Sequence, residues 1–473
     1  MIIEDNANVF IKRLFGFSLG PVISAFLGFI MTPVTTWLVV PEEFGKAAMY
    51  TLALTLTSMF IYLGLDQAFV REYNAVKIKN NLLWNCFLVT VFFSLIIAII
   101  FLLLWDPLSN LLFGSSEKFI ITLLALSLPV AVFQRFNLLV IRMEEKAKVY
   151  SLLTIVQKLI NLPVLILLLV YYEKSFKSII LAQFFSLLLV GLLAFLLNKE
   201  KWSFKFRIEN KMILDLLSYG LPLVPAAIFM WLLNSMDKIA LRIWTDFYEI
   251  GIYSAAFRIV MILEIAKSSF SMFWSPTAYR WYESGVQNEK FINVSHKLTV
   301  VLLVTFSLII IFKDVIILIL NQRYHDSAII VPFLLFIPVM YIMADTTKKG
   351  INFSRKTIFS LLVTGCAAGI NLIGNYILVP MMGALGASIA TGISFIVFFW
   401  INTLISRKLW FKFKIVFYIV NILLMLLLAT IAVFCQNILL ELLVFALMVI
   451  YNMAHLRYLY NIGVNILKMA IGK

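Results

Sequence analysis

The sequence predicts an all-α polytopic membrane protein with about fourteen transmembrane helices. Three observations predict it. Hydrophobic residues fill 63% of the 473 positions and charged residues only 13%, whereas soluble domains carry about twice that charged share. The apolar residues recur in runs of about 20, the length that crosses a ~30 Å hydrocarbon core as a helix. Positive charge falls in alternate connecting segments, as membrane topology requires.

The expected spans are 15–40, 46–70, 83–104, 118–141, 149–172, 178–198, 214–243, 249–275, 298–320, 328–347, 357–379, 384–405, 415–435 and 438–456. One set of connecting segments holds Lys12, Arg13, Arg71, Lys77, Lys79, Arg142, Lys146 and Lys148 in the first part of the chain. It continues with Lys199, Lys201, Lys205, Arg207, Lys211, Arg280, Lys290, Lys297, Lys348, Lys349, Arg355 and Lys356. Arg407, Lys408, Lys412, Lys414, Arg457, Lys468 and Lys473 complete it. The other set holds only Lys46, Lys118, Lys174, Lys177 and Arg323. The positive-inside rule then puts both termini in the cytoplasm. Topology thus accounts for the net charge of +15, with no nucleic-acid partner. The first apolar run is too long for a cleavable signal peptide, and no small-residue cleavage site follows it.

Cys86, Cys366 and Cys435 lie in apolar runs without metal-ligand spacing. His296, His325 and His455 are scattered at run ends, so no metal site is expected. Every loop is short, the longest outer one running from Trp105 to Glu117. Without a polar domain to house chemistry, function belongs inside the helix bundle, and an enzyme is not expected.

The chain repeats itself loosely. Ser18-Leu19-Gly20-Pro21 parallels Ser218-Tyr219-Gly220-Leu221-Pro222. Glu43-Phe44-Gly45 with Ala47-Ala48 parallels Glu249-Ile250-Gly251 with Ala255-Ala256. The offset of about six spans is even, so the halves would run parallel, a transporter pattern with the substrate site between them. Residues 1–198 and 214–405 are the expected halves. Residues 199–213 are the cytoplasmic linker, and 406–473 hold two extra helices and a tail.

The run from Tyr62 through Leu63, Gly64, Leu65, Asp66 and Gln67 to Val70-Arg71-Glu72-Tyr73 resembles the end of the second helix in polysaccharide flippases. Asp237-Lys238 before Glu249-Ile250-Gly251-Ile252-Tyr253-Ser254-Ala255-Ala256 resembles their seventh-to-eighth helix segment. Asn371 through Pro380, then Gly383, Gly386-Ala387 and Ala390-Thr391, is similar too. With the three motifs in this order, the chain resembles the polysaccharide flippases of the multidrug/oligosaccharidyl-lipid/polysaccharide exporter superfamily, which include an O-antigen branch. That resemblance implies two six-helix bundles around a central cavity, alternating access, and outward movement of undecaprenyl-pyrophosphate-linked oligosaccharide.

A charge within a span costs at least about 2.5–3.5 kcal/mol on insertion scales, so each needs a reason. The intramembrane cations are Arg135, Lys158, Lys238, Arg242, Arg258, Lys267 and Lys313. The deep acids are Asp237, Glu264 and Asp314, with Asp66 and Asp345 nearer the inner ends. Cations in excess suit an anionic cargo, and guanidinium matches phosphate oxygens. Arg135, Lys158, Arg258, Lys238 and Lys267 are the candidate substrate-binding cations. Asp237, Asp66, Arg71 and Pro33 are the candidates for coupling or gating. The structural alternatives are pairing of Glu264 with Lys267 and of Lys313 with Asp314, and snorkelling of Arg242. Pro33, Pro129, Pro163 and Pro338 lie within spans and are expected to kink them.

The leading expectation is a flippase whose partners are a lipid-linked oligosaccharide and membrane lipids, with a glycan polymerase and chain-length regulator downstream. No cofactor is expected; coupling to a proton or sodium gradient stays open. A cation-coupled multidrug exporter would favour cavity acids over cations. A membrane glycan polymerase or ligase would need a large outer loop. A scaffold has no use for seven intramembrane cations.

Overall fold

Leu63 (φ 48°) and Gly64 (φ 71°) both adopt left-handed backbone and split the second expected span into two helices. Breaks of this kind, more than prolines, shape the computed structural model, which describes residues 20, 22–354, 356, 358–458 and 460–461. Ser18, Leu19 and Pro21 of the repeat, and Lys12, Arg13, Arg355, Lys468 and Lys473, lie outside the described residues.

The described residues form helices and no strand. Backbone amides in lipid must be satisfied within their own segment, which explains this. Among the described residues, ten helices are long and apolar enough to cross a membrane. Among the described residues the order begins α1 (Val22–Leu38), α2 (Pro41–Tyr62), α3 (Leu65–Glu72), α4 (Lys79–Leu103), α5 (Trp105–Phe113), α6 (Lys118–Met143), α7 (Ala147–Tyr171) and α8 (Phe176–Asn198). Next come α9 (Asn210–Gly220), α10 (Val224–Trp244), α11 (Phe247–Val260), α12 (Leu263–Glu283), α13 (Asn288–Ile311) and α14 (Lys313–Ile317). The last are α15 (Ser327–Leu334), α16 (Phe336–Thr347), α17 (Lys349–Phe353), α18 (Ile358–Leu409), α19 (Val416–Thr430) and α20 (Ile438–Tyr451).

Besides the second, four expected spans differ from the structure. The eighth, 249–275, is two helices, α11 and α12, parted at Met261–Ile262, and neither is among the ten. Glu264, Lys267 and Ser268, Ser269, Ser271 and Ser275 make α12 too polar to read as one apolar rod. The ninth begins ten residues earlier, at Asn288, and α13 stops before Lys313 and Asp314. The eleventh and twelfth are continuous in hydrogen bonding, but Gly383 (φ 54°, ψ −132°) turns the chain between them inside α18. The expected kinks at Pro129 and Pro163 do not break α6 or α7. Pro33 also lies within an unbroken helix, its carbonyl accepting from Thr36 Oγ1 at 2.9 Å. Pro338 sits at the third position of α16, next to the α15–α16 break.

The described chain divides into two compact units. The first runs to Lys238 and includes Asp246–Ser254; the second holds Ile239–Thr245 and everything from Ala255. In the first, α6 packs against α4 and α8, and α7 against α8. Lipid drives no apolar segregation between helices, so buried polar pairs add specificity. Tyr50 Oη and Ser127 Oγ are 2.7 Å apart, and Trp202 Nε1 donates to Asn137 Oδ1 at 2.9 Å. In the second unit, α16 packs on α18 and α13, and α13 on α19 and α20. Thr347 and Thr403 hydroxyls meet at 2.7 Å, and Asn452 Nδ2 donates to Asn421 Oδ1 at 2.8 Å.

Candidate functional site

The break at Leu63–Gly64 builds the site. Glycine is needed there for a second reason besides its positive φ. A Cβ on Gly64 would lie 2.2 Å from the Gly220 carbonyl oxygen, where α9 ends against the turn. With α2 ended, α3 starts afresh and carries Asp66 and Gln67 in its first turn.

Asp66 faces α6. Arg135 Nη2 donates to Asp66 Oδ2 at 2.6 Å, and Gln67 Nε2 donates to the same oxygen at 3.0 Å. The Tyr62 ring lies 6.0 Å from the guanidinium carbon. These groups, with Thr55, Ser58 and Val224, line a cavity of about 400 Å³ within the first unit. Arg135 Nε is buried with no hydrogen-bond partner among the described residues. Arginine presents five donors in a rigid fork. Asp66 takes one of them, so the guanidinium keeps capacity for a further anionic oxygen. Asp66 is therefore an internal counter-ion for Arg135.

The other sequence candidates fall elsewhere. Arg71 does not reach this cavity. Its guanidinium stacks 4.2 Å over the Tyr219 ring, its Nε lies 3.3 Å from Glu72, and it lines a separate cavity of about 640 Å³ with Glu209, Lys211 and Asp215. Asp237 is buried, and Tyr253 Oη donates to its Oδ2 at 2.5 Å. Lys238 and Lys158 are half-buried on α10 and α7, and neither lines the Asp66 cavity. Arg258 is exposed on α11, just before the Met261–Ile262 break. Lys267 pairs with Glu264 and sits 3.9 Å over the Tyr341 ring. Lys313 lies 3.0 Å from Asp314 and 4.0 Å from Glu441.

Sequence reasoning missed a second charged cluster, in the second unit. Asp345 accepts from Ser271 Oγ at 2.9 Å, and its other oxygen lies 3.1 Å from Lys348 Nζ and 3.4 Å from Lys349 Nζ. Lys349 is fully buried and donates to Ser275 Oγ at 3.0 Å. Counted as loop residues, these lysines looked solvated. The available signal was spacing: Lys348 and Lys349 follow Asp345 by three and four residues, the intervals at which charged side chains meet along a helix. Glu441, buried near Lys313 on α20, also went unnoticed inside its apolar run.

Solved structures share this architecture. The chain is similar to a structure titled "Lipid II flippase MurJ, inward closed conformation", at 16% identity and a TM-score of 0.68, over 95% of this chain and 99% of that one. It is similar to an inward-facing multidrug resistance MATE family transporter of the MOP superfamily, at 16% identity and a TM-score of 0.59, over 83% and 94%. A MOP superfamily transporter from Pyrococcus furiosus matches at 15% identity and a TM-score of 0.51, over 84% and 95%. The fold is thus the one shared by these transporters. No curated protein matches the sequence significantly. A family model described as polysaccharide biosynthesis protein matches residues 10–278. More than half of the chain carries that match, and this multi-pass membrane protein belongs to the polysaccharide biosynthesis protein family.

Proposed function

We propose that the chain is a flippase that moves an undecaprenyl-pyrophosphate-linked oligosaccharide across the bacterial cytoplasmic membrane by alternating access, for surface polysaccharide such as O-antigen. The observation that carries this reading is Arg135, a cation on an apolar helix that lines a cavity of about 400 Å³ and has an internal counter-ion, Asp66. A pyrophosphate offers the oxygens that such a guanidinium prefers. Family membership points to polysaccharide, and the similarity to a lipid II flippase points to a lipid-linked form of it. Lys158, Lys238, Arg258 and Lys267 are the further cations of the path, and Arg71 and Pro33 belong to its gating. Asp66 and Asp237 are the carboxylates we assign to coupling with a proton or sodium gradient. Both termini lie in the cytoplasm, and a glycan polymerase and chain-length regulator take the product on.

The test is replacement of Arg135, Lys158 and Arg258 together by Gln, with membrane expression checked separately. Loss of glycan export with lipid-linked intermediate accumulating on the inner face is expected. Normal export would overturn the reading. Efflux of cationic drugs by the wild type, without any export defect in its deletion strain, would favour the multidrug exporters that share the fold.

A further inference from the structure

The segment between α8 and α9 is an extended strap stitched to the start of α4. Asn80 Nδ2 donates to the carbonyls of Ser203 (2.9 Å) and Lys205 (3.1 Å), and Trp84 Nε1 donates to Ser203 at 2.9 Å. Asn85 Nδ2 donates to the Arg207 carbonyl at 2.9 Å, while the amides of Arg207 and Glu209 donate to Asn81 (3.2 Å) and Asn85 (3.0 Å). An extended segment cannot satisfy its own backbone, so these asparagines do it and hold the strap in place. The Trp84 and Phe206 rings stack at 4.6 Å.

Holding the strap there creates an open apolar groove of about 320 Å³. One wall is α4, through Leu88, Val89, Phe92 and Phe93; the other is Ile208 and Ile213, with Asn85 at the head. From Asn85 to Phe92 the helix rises about 10 Å. The groove therefore runs from the strap along a span that crosses the membrane. Lys205 and Arg207 are exposed on the strap, and their carbonyls are held by Asn80 and by Asn85, which lines the groove. Apolar walls beside a strap that carries exposed basic residues have the two-part chemistry of an anionic lipid, with acyl chain and headgroup.

We infer that this groove is a binding site for one anionic phospholipid, with its headgroup on Lys205 and Arg207 and an acyl chain along Leu88 to Phe93. It rests on the membrane embedding of α4 and not on the flippase reading.

The experiment titrates the detergent-solubilised full chain with phosphatidylglycerol or phosphatidylcholine, reading bound lipid by native mass spectrometry and the thermal midpoint. The wild type should prefer phosphatidylglycerol about thirtyfold, from ~1 kcal/mol for each of the two basic residues near a charged headgroup. Lys205→Gln with Arg207→Gln should lose the preference. Val89→Trp, which fills the groove, should lose binding, while Leu167→Trp on the exposed face of α7 should keep it. An unchanged preference in both the Gln pair and Val89→Trp would overturn the inference. So would displacement of phosphatidylglycerol by equimolar undecaprenyl phosphate, since the groove would then be a vestibule for the carrier lipid.

Discussion

Arg135 on α6 and Asp66 on α3 form an ion pair at 2.6 Å, linking positions 69 residues apart. The Asp66 side chain is nearly buried, and the Arg135 side chain, which lines the cavity, is 38% exposed. This asymmetry suits a pair that must open. The carboxylate is fixed by Gln67, while the guanidinium has one side available.

Exchanging the two charges separates structure from cargo binding. Asp66→Arg alone and Arg135→Asp alone should each lower the thermal midpoint, because each leaves like charges together. The double variant should restore it, with a coupling of about 0.5–3 kcal/mol, the range for residues in contact. Export should stay lost in the double variant, because the cation then sits on α3. Restored export would show that the pair only holds the fold.

Gly64→Ala should deplete folded protein. The left-handed backbone alone costs about 1–3 kcal/mol for a non-glycine residue. The new Cβ would also overlap backbone, with the Gly220 oxygen 2.2 Å away. Gly28→Ala, with nothing within 4 Å of the added carbon, is the control. Fluorescence-detected gel filtration of the two variants should show a monodisperse peak only for Gly28→Ala.

Glu144, outside the spans, joins the α6–α7 turn to the start of the strap. Its carboxylate pairs with Lys146 at 2.8 Å and with Lys201. Burial opposes its ionisation, but the bonds from the two ammonium groups outweigh that and hold its pKa below the usual glutamate value. A lowered folded pKa gives stability that is fully present above the unfolded value, near pH 4.5, and is lost as pH falls through the folded one. The lysines are well exposed, so the contribution is under about 1 kcal/mol. The midpoint difference between wild type and Glu144→Gln should stay constant from pH 7 to about 5 and shrink below that.

Orientation is checked by single-cysteine labelling. Cysteine at Ser115 or Gln322 should react from outside the cell, and at Ser203 only after permeabilisation. Lys408, exposed at the end of α18, is a second inside reporter. Outside labelling at Ser203 or Lys408 would reverse the assigned topology.

Hydropathy by itself determined that the chain is helical and membrane-spanning, because the bilayer leaves a 20-residue apolar run no other way to satisfy its backbone. It located the intramembrane charges by the same reasoning, and the Glu264–Lys267 pair by their three-residue spacing within one helix. What it could not decide were the breaks within runs and the partners across them. Met261–Ile262 and Gly383 leave little trace in an apolar average, so one expected span became two helices and two became one bent helix. Arg135 read as an unpaired cavity cation, and Lys349 as a loop residue. Their carboxylates, Asp66 and Asp345, are positioned by packing of α3 on α6 and by the turn of α16 into α17. Ion pairing acts over a few ångströms in space, and the distance between two helices is set only when their faces meet.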